Sequence, residues 1–392
     1  MSKRVLYTAF DVVPSPKGAS THILHFIRGL VNGGYQVDLL TPGDGLLPEV
    51  DEIEGARIQR ISATGEPDFL SRAQAFGQAI LGFAENHSKI DLVHYRSIWG
   101  GLQLAQNKHR LGYRTLFEVN GLPSIELKYH YPGLSQTGLI EKIREQELAT
   151  LLLSDVLVCP SEVTKAFLIS LGVPRQRIHV IPNGYSPQDF SATPLPEWDH
   201  RQPTLLYTGT LADWQGLEMA LQALPEIIAH RPVQLRIIGR GRSRQRKNLS
   251  KQIRKLGLAE FVSLEAAIPH HAIAQVISDA HICLAPLSLN DRNITQGCCP
   301  IKIIEYMASA RPIVAANLPV VRELLREDLD GLFFTPDDPS DLARQVIKIL
   351  DNQALAERLA QSAAKRASEK FTWHLAQKRL LKVYQKLEAS QA

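Results

Sequence analysis

The chain has 392 residues, 44% of them hydrophobic and 21% charged, with a formal net charge of +4. These values favour a soluble globular protein that is too long for one hydrophobic core, so we expect two domains. No apolar run reaches the roughly 18 residues of a membrane-spanning helix. The apolar run at the N-terminus is only one strand long, which argues against a signal peptide.

The first half alternates short apolar runs, which predict β-strands, with helical patterns. The predicted strands are "RVLYTAF", "QVDLLTP", "RIQRIS", "DLVHYR", "TLFEVN", "DVLVCPS" and "IHVIPNG". The first helix should end at Gly33–Gly34, because glycine suits a left-handed helix cap. Alternation of strands and helices predicts a parallel sheet covered by helices.

A proline-rich polar stretch, "SPQDFSATPLPEWDHRQP", then predicts a linker. The alternation restarts with the strands "TLLYTGT", "LRIIGR", "FVSLEA", "ICLAPL", "PIVAAN" and "GLFFTP". We therefore predict doubly wound domains over residues 1–190 and 200–372, facing a cleft, with helical patterns to the end of the chain. Ligands of such folds bind at the carboxyl ends of the strands.

Two strand-to-helix turns carry small residues that let a backbone approach a ligand. Gly18 and Ala19 follow the first strand and open a helix, whose free amides favour anions. In the second half Gly209 and Thr210 hold the equivalent place, where Thr210 adds a hydroxyl. The alternative for both is a tight turn with a geometric role only.

The stretch "NITQGCCPIKIIEYMASARPIV" predicts a third helix start, near Pro300. Lys302 in its first turn gains nothing from the helix dipole, so its charge is better explained by a bound anion such as a diphosphate. Glu305, one turn later, offers a carboxylate suited to the vicinal hydroxyls of a ribose. The alternative for Glu305 is an ion pair with Lys302 on the same helix face.

Four cysteines, Cys159, Cys283, Cys298 and Cys299, lack metal-ligand spacing. Reduced thiols, and hence a cytoplasmic location, are the simplest interpretation. The triplet Asp328-Leu329-Asp330 could hold a metal, but it resembles a turn before a strand, so we expect no metal site.

From Arg240 to Lys255, eight of sixteen residues are Lys or Arg. This run is either a solvated helix face or a surface attracted to an anionic partner such as a membrane. Nothing resembling a nucleic-acid-binding module accompanies it, so nucleic acid is not an expected partner.

The motifs in order resemble the retaining glycosyltransferases of family 4 over nearly the whole chain. The segments that carry the likeness are "PSPKGAS", "VIPNGYSPQDF", "YTGTLADWQG", "LRIIGRG", "PIKIIEYMASARPIVAANLPVVREL" and "DGLFFTPDDPSDLARQVIKIL". The resemblance implies the α/β GT-B fold, with an acceptor-binding N-terminal domain and a C-terminal domain that binds a nucleotide sugar. It also implies that the last helix, residues 373–392, packs back on the N-terminal domain.

By the same likeness, Glu305 holds the ribose, and the amides of Ile301 and Lys302 face the diphosphate, with Gly18 opposite them. The base is expected near Ala267 and Ile268. The donor would be of UDP or GDP type and serve as substrate, with no separate cofactor.

Three usual polar contacts of the family are replaced. Gly297 stands where a first glutamate usually contacts the donor sugar. Thr210 and Gln215 stand where a basic pair is usual, and Asn120 stands where a histidine is often found.

Two explanations remain open. In the first, Lys302 and Arg240 replace the basic pair, and the diphosphate itself takes the acceptor proton, because front-face transfer needs mainly positioning and phosphate stabilisation. Lys302, Asn120 and Glu118 would then be catalytic, with Glu126 toward the acceptor. In the second, the chain binds a nucleotide sugar without turnover.

The sequence thus predicts a cytoplasmic, metal-independent hexosyltransferase that retains anomeric configuration. Its acceptor would be a lipid, a polysaccharide or a small molecule, and peripheral contact with the inner face of the membrane is possible. A sugar-nucleotide epimerase is the alternative enzyme, but no acid–base pair for it is evident.

Overall fold

Two sheets form from the two series of apolar runs, each in its own unit of the chain. In this computed structural model, unit 1 runs up to Pro182 and resumes at His374, and unit 2 runs from Asn183 to Trp373. The structure describes residues 2–62, 68–87, 89–131, 133, 138–198 and 202–389. The predicted domain start at residue 200 and the predicted helix end at residue 392 lie outside these residues.

Within the described part of unit 1, eight strands form one sheet in the order β3-β4-β2-β1-β5-β6-β7-β8. They are β1 Arg4–Thr8, β2 Gln36–Pro42, β3 Val50–Ile53, β4 Ala56–Ile61, β5 Leu92–Tyr95, β6 Arg114–Glu118, β7 Val156–Cys159 and β8 Ile178–Val180. Strand pairs are parallel except β3 with β4. Val5, Leu6 and Tyr7 are all fully buried, as expected when helices cover both faces.

The antiparallel edge strand β3 was not predicted. Its sequence, Val-Asp-Glu-Ile, is half polar, and none of its residues is buried. An edge strand on the outside of the sheet needs no apolar run, so the pattern that marks the other strands is missing.

The helices of unit 1 lie between these strands and at the end of the chain. They are α1 Gly18–Asn32, α2 Phe69–Asn86, α3 Ile98–Leu111, α4 Pro123–His130, α5 Leu139–Leu153, α6 Glu162–Ser170 and α14 Trp373–Ala389. Helix α1 ends as predicted: Gly34 has φ +87°, and its amide donates to the Val31 carbonyl. In α14, Tyr384 contacts His94 and Gln377 donates to the His25 carbonyl, so this helix packs within unit 1.

In the described part of unit 2, six parallel strands run in the order β11-β10-β9-β12-β13-β14. They are β9 Thr204–Thr208, β10 Gln234–Ile238, β11 Val262–Glu265, β12 Ile282–Ala285, β13 Ile313–Ala316 and β14 Leu332–Phe334. Its helices are α7 Leu217–His230, α8 Ser243–Lys255, α9 His270–Ser278, α10 Ile301–Ala308, α11 Pro319–Arg322, α12 Pro339–Leu350 and α13 Gln353–Lys370.

The boundary between the units lies earlier than the predicted residue 190. Asn183 donates to the Cys299 carbonyl at 2.7 Å, and Arg311, fully buried, donates to the carbonyls of Thr193 and Pro194. These bonds attach Asn183 and the middle of the predicted linker to unit 2. No described helix combines the length and apolar character needed to cross a bilayer.

Candidate functional site

Helix α10 begins where the sequence predicted, with Pro300 as its N-terminal cap residue. No side chain caps its first turn. The helix follows a π-helical turn, Arg292–Gln296, which Gly297 closes with φ 80° and ψ 167°. The amides of Ile301 and Lys302 therefore stand at an open helix start, which favours an anion.

The side chain of Lys302 is directed at the loop that follows β9. Its Nζ donates to Oε1 of Gln215 at 2.7 Å and lies 3.8 Å from the centre of the Tyr207 ring. A Cβ at Gly209 would lie 2.8 Å from this Nζ, so the glycine makes room for the ammonium group. Three predicted donor-binding residues, Gly209, Gln215 and Lys302, are thus brought together.

Thr210 belongs to the same loop. Its carbonyl accepts a hydrogen bond from the Tyr207 hydroxyl at 2.6 Å, and its Oγ1 accepts from Nε2 of Gln215 at 3.4 Å. The ring beneath Lys302 therefore also fixes the backbone of the loop.

The environment of Lys302 disfavours its charge. Burial is the main cause that holds the pKa of Lys302 well below its usual value, and the nearby positive charge of Arg292 adds to it, while Glu305 opposes it. Lys302 is only 9% exposed. A bound anion would restore the charged form of this lysine.

Glu305 has a different partner from the one considered in the sequence. Its Oε1 accepts a hydrogen bond from Nε2 of His270 at 3.1 Å, while Lys302 bonds to Gln215. The hydrogen bond to Glu305 raises the pKa of His270. Each residue therefore contacts a different partner. These contacts do not favour the alternative in which Lys302 and Glu305 serve only to form an ion pair with each other.

His270 also connects Glu305 with the predicted base-binding segment. It is the first residue of α9 and follows Ala267 and Ile268 on the loop from β11. Ala267 is exposed and Ile268 half-buried. The sequence analysis gave His270 no role, because its partner Glu305 lies 35 positions away along the chain.

Arg240 does not share the arrangement of Lys302. Its side chain is exposed on the loop after β10, and its carbonyl accepts from the Leu211 amide at 2.9 Å. A Cβ at the preceding Gly239 would lie 1.6 Å from the Gly209 carbonyl oxygen, so the two loops touch through their backbones. A different arginine, Arg292, influences Lys302.

In unit 1, Glu118 is the centre of a buried polar network. It is 1% exposed and accepts from Tyr7 at 2.6 Å, Arg96 at 2.7 Å, His94 at 3.0 Å and Asn120. Nε2 of His22 lies 2.8 Å from its Oε1.

Burial alone would raise the pKa of Glu118, but His22 and Arg96 together hold it well below its usual value. These contacts favour a positioning role for Glu118 over the predicted catalytic one. Its oxygens are occupied by protein donors, so it positions its neighbours and has no free face for an acceptor.

Two neighbours of Glu118, Asn120 and His22, indicate what it positions. Asn120 follows β6, is half-buried and donates its side-chain amide to Glu118, a bond that does not use its Oδ1 acceptor. His22 lies in α1, the helix that Gly18 and Ala19 open with no side-chain cap. The network therefore fixes the first turns of α1 relative to Asn120.

Glu126, on α4, folds back toward the chain after β6. A Cβ at Gly121 would lie 2.7 Å from its Oε1. Glu147 of α5 accepts from the amide of Ser124 at 2.7 Å, and burial raises the pKa of Glu147 to about 7. Glu147 thereby caps the helix that carries Glu126.

Among the described residues, no group of three or more His, Cys, Asp or Glu side chains could hold a metal ion. In the triplet considered for metal binding, Asp330 is fully buried and accepts from Arg326 at 2.7 Å. Asp328 has φ +57°, as in a turn.

Comparison with known proteins identifies the family. The model of "Glycosyltransferase Family 4" matches residues 16–189, and that of "Glycosyl transferases group 1" matches residues 202–352. The chain belongs to the family 4, group 1 glycosyltransferases. It is therefore a glycosyltransferase of GT-B type, an enzyme that transfers a sugar from a nucleotide sugar.

Relatives in sequence extend over the same length. An uncharacterized glycosyltransferase of Methanocaldococcus jannaschii is 23% identical over 94% of this chain and 94% of its own. A phosphatidyl-myo-inositol mannosyltransferase of Mycobacterium tuberculosis is 24% identical over 98% of this chain and 96% of its own.

Solved structures show the same fold. Sucrose-phosphate synthase from Thermosynechococcus elongatus superposes with a TM-score of 0.83 at 20% identity, covering 99% of this chain and 100% of its own. HepE of Anabaena, solved with UDP and glucose, gives a TM-score of 0.77 at 16% identity, covering 98% and 100%. The predicted α/β GT-B class, with two parallel-sheet domains, is confirmed.

Proposed function

We propose that the chain is a retaining, metal-independent hexosyltransferase that uses a UDP- or GDP-sugar. The observation that carries the proposal is the direction of Lys302, whose buried ammonium group reaches the Gly209–Gln215 loop from the open start of α10. A desolvated cation beside free amides is a site for a dianionic phosphate. Glu305, one turn along the same helix, would accept hydrogen bonds from the ribose hydroxyls.

Different residues of unit 2 would bind different parts of the donor. The amides of Ile301 and Lys302, with the Lys302 ammonium group, would stabilise the leaving diphosphate as its charge develops. Ala267 and Ile268 would contact the base through backbone and small apolar groups. In the transfer, the bond from the anomeric carbon to the phosphate oxygen breaks, and a bond to the acceptor oxygen forms on the same face. The departing phosphate takes the acceptor proton.

The residues of unit 1 would serve both substrates. Gly18 and Ala19 offer the open amides of α1 to the donor, and Asn120 offers its side-chain oxygen to an acceptor hydroxyl. Glu126 is the proposed acceptor-side carboxylate. The relative from Mycobacterium tuberculosis is named for a lipid acceptor, phosphatidyl-myo-inositol. A glycan or lipid-linked acceptor is accordingly the class that we propose here.

The test begins with ligand binding and ends with turnover. Thermal shift against UDP, GDP and ADP and their hexose conjugates should show one nucleoside diphosphate that raises the melting temperature, because a ligand of the folded state stabilises it. Release of that nucleotide should depend on an added glycan or lipid extract. Binding without turnover under any acceptor would support a non-catalytic protein, and a changed hexose on an intact nucleotide would support an epimerase.

Lys302→Ala should lower the rate of transfer more than the affinity for substrate, since the cation acts on charge that develops in the transition state. Wild-type turnover in this variant would remove Lys302 from the mechanism. The same assay with and without a chelator tests the metal independence, and the anomeric configuration of the product tests retention.

Helix α8 supports a location at the inner face of the membrane. Its exposed Lys247, Lys251 and Arg254 form a basic surface, whereas Arg246 is turned inward to the carbonyls of Gly239 and Leu264. Flotation with vesicles containing anionic lipid should recover the wild-type protein, and the double variant K247E/K251E should lose this binding. Recovery that is insensitive to salt and to both substitutions would contradict a membrane contact through α8.

A further inference from the structure

A second cation stands beside Lys302, on the π-helical turn before α10. The guanidinium carbon of Arg292 lies 4.9 Å from the centre of the Trp214 ring. The next residue, Gln215, holds the Nζ of Lys302 at 2.7 Å. Trp214 and Gln215 are successive residues of one short turn, Asp213–Gln215, and each of them contacts a positive side chain from another part of the chain.

The position of Arg292 is fixed by buried contacts. Asn293 is fully buried and donates its side-chain amide to the carbonyls of Trp214 at 2.9 Å and Ser288 at 2.8 Å. Nη1 of Arg292 donates to Oδ1 of this same Asn293 at 3.1 Å. The turn that carries Trp214 and the turn that carries Arg292 are thus joined, and the guanidinium group is held over the indole ring.

The chain maintains two like charges close together at this place. Arg292 is near enough to disfavour the charged form of Lys302. The other groups that act on Lys302 are the Tyr207 ring beneath it, the Glu305 carboxylate and the Cys298 thiol. The carboxylate of Glu305 is already bonded to His270. An anion bound next to both cations would interact favourably with each of them.

We propose that Arg292, held by Trp214 and Asn293, is the second cation that binds the diphosphate of the donor. The inference rests on the proposed function and assigns to Arg292 the role that was predicted for Arg240. Together Lys302 and Arg292 would supply the charge of the basic pair that is usual in the loop after β9. A planar guanidinium group binds two phosphate oxygens at once, which an ammonium group does not.

The experiment compares R292Q and R292K with the wild type by titration calorimetry. In R292Q, affinity for the nucleoside diphosphate should fall about 10- to 100-fold, as for the loss of a hydrogen bond to a charged group. Affinity for the corresponding monophosphate should change much less. R292K should recover part of the loss, which separates a lost cation from lost packing. R344Q, which removes an exposed arginine of α12, should match the wild type.

A second readout distinguishes binding from a structural role. Removing Arg292 removes a like charge from Lys302, so the fall of diphosphate affinity with rising pH should move to higher pH in R292Q. Equal diphosphate affinity in R292Q and the wild type, with an unmoved pH profile, would overturn the inference and leave the proposed function standing. A wild-type protein that binds no nucleoside diphosphate would overturn both.

Discussion

The ammonium nitrogen of Lys302 lies 2.7 Å from the side-chain oxygen of Gln215, although the two residues are 87 positions apart. Gln215 stands where the family usually has a basic residue. The loop carries an uncharged residue at that position and receives a cation from α10. The glutamine is therefore a positioning residue, because it sets where the Lys302 charge is presented.

Substitutions at Gln215 should show whether the Lys302 side chain lies close to the phosphates of the donor. Q215A removes the hydrogen bond, and we expect a loss of diphosphate affinity of about 1 kcal/mol. Q215E introduces a carboxylate that pairs with Lys302 and repels the phosphates, so its loss should be greater. Calorimetry with the cognate nucleoside diphosphate measures both. Equal affinity in Q215A and Q215E would show that Lys302 does not approach the phosphates.

Binding of the diphosphate should depend on pH through Lys302. Burial lowers the pKa of Lys302 in the free protein, whereas a bound diphosphate favours the charged form and raises it. Between these two pKa values the complex takes up a proton, so affinity falls as pH rises through that window. Above about pH 8, where the phosphates are fully ionised, calorimetry in buffers of different ionisation enthalpy should report this uptake. In the matched variant K302M the uptake should vanish, and uptake that persists there belongs to another group.

Glu305 should recognise the ribose and not the phosphates. E305A removes the carboxylate acceptor, so the affinity for the nucleoside diphosphate should fall by about 1.5–3 kcal/mol. The affinity for the 2′,3′-dideoxy analogue should be the same in E305A and the wild type, since that ligand offers no hydroxyls. H270A is the companion variant, because it removes the hydrogen bond to Glu305 at 3.1 Å. It should reduce only in part the preference for the parent nucleotide over the dideoxy analogue. A dideoxy analogue that loses as much affinity as the parent nucleotide would contradict ribose binding.

The stability of unit 1 should depend on the Glu118 charge. E118Q keeps the shape of the side chain but removes the negative charge that Arg96, whose side chain is 8% exposed, contacts at 2.7 Å. Removing one member of a buried ion pair costs about 3–5 kcal/mol of unfolding free energy. Urea denaturation followed by a probe in unit 1 measures the change, and E145Q, at an exposed position of α5, is the control. Similar unfolding curves for both variants would mean that the network contributes little.

Much of the fold follows from local patterns. The second predicted strand coincides with β2, and the first overshoots β1 because Ala9, after the strand end, is still buried. An apolar run indicates burial, and the chain stays buried beyond the last residue that makes strand hydrogen bonds. The start of α10, with its positive and negative side chains one turn apart, was also predicted from local sequence.

The partners in the site could not be predicted in this way. Glu305 meets His270 from 35 positions earlier, and Arg292 meets Trp214 across the fold. Glu118 has the residue type of a catalytic carboxylate, and only its burial shows that its oxygens are taken up by protein donors. Such contacts depend on which strands become neighbours, and periodicity in one segment carries no information about that.

Gly297 closes the turn before α10 with φ 80° and ψ 167°, a backbone conformation that essentially only glycine adopts. Any side chain at this position would carry a strain of order 1–3 kcal/mol. A glutamate at this position would therefore not be accommodated by a change of side chain alone, because the backbone of the turn before α10 would have to take another path. The conformation that leads into the helix start and the absence of a carboxylate at this position are thus one structural feature.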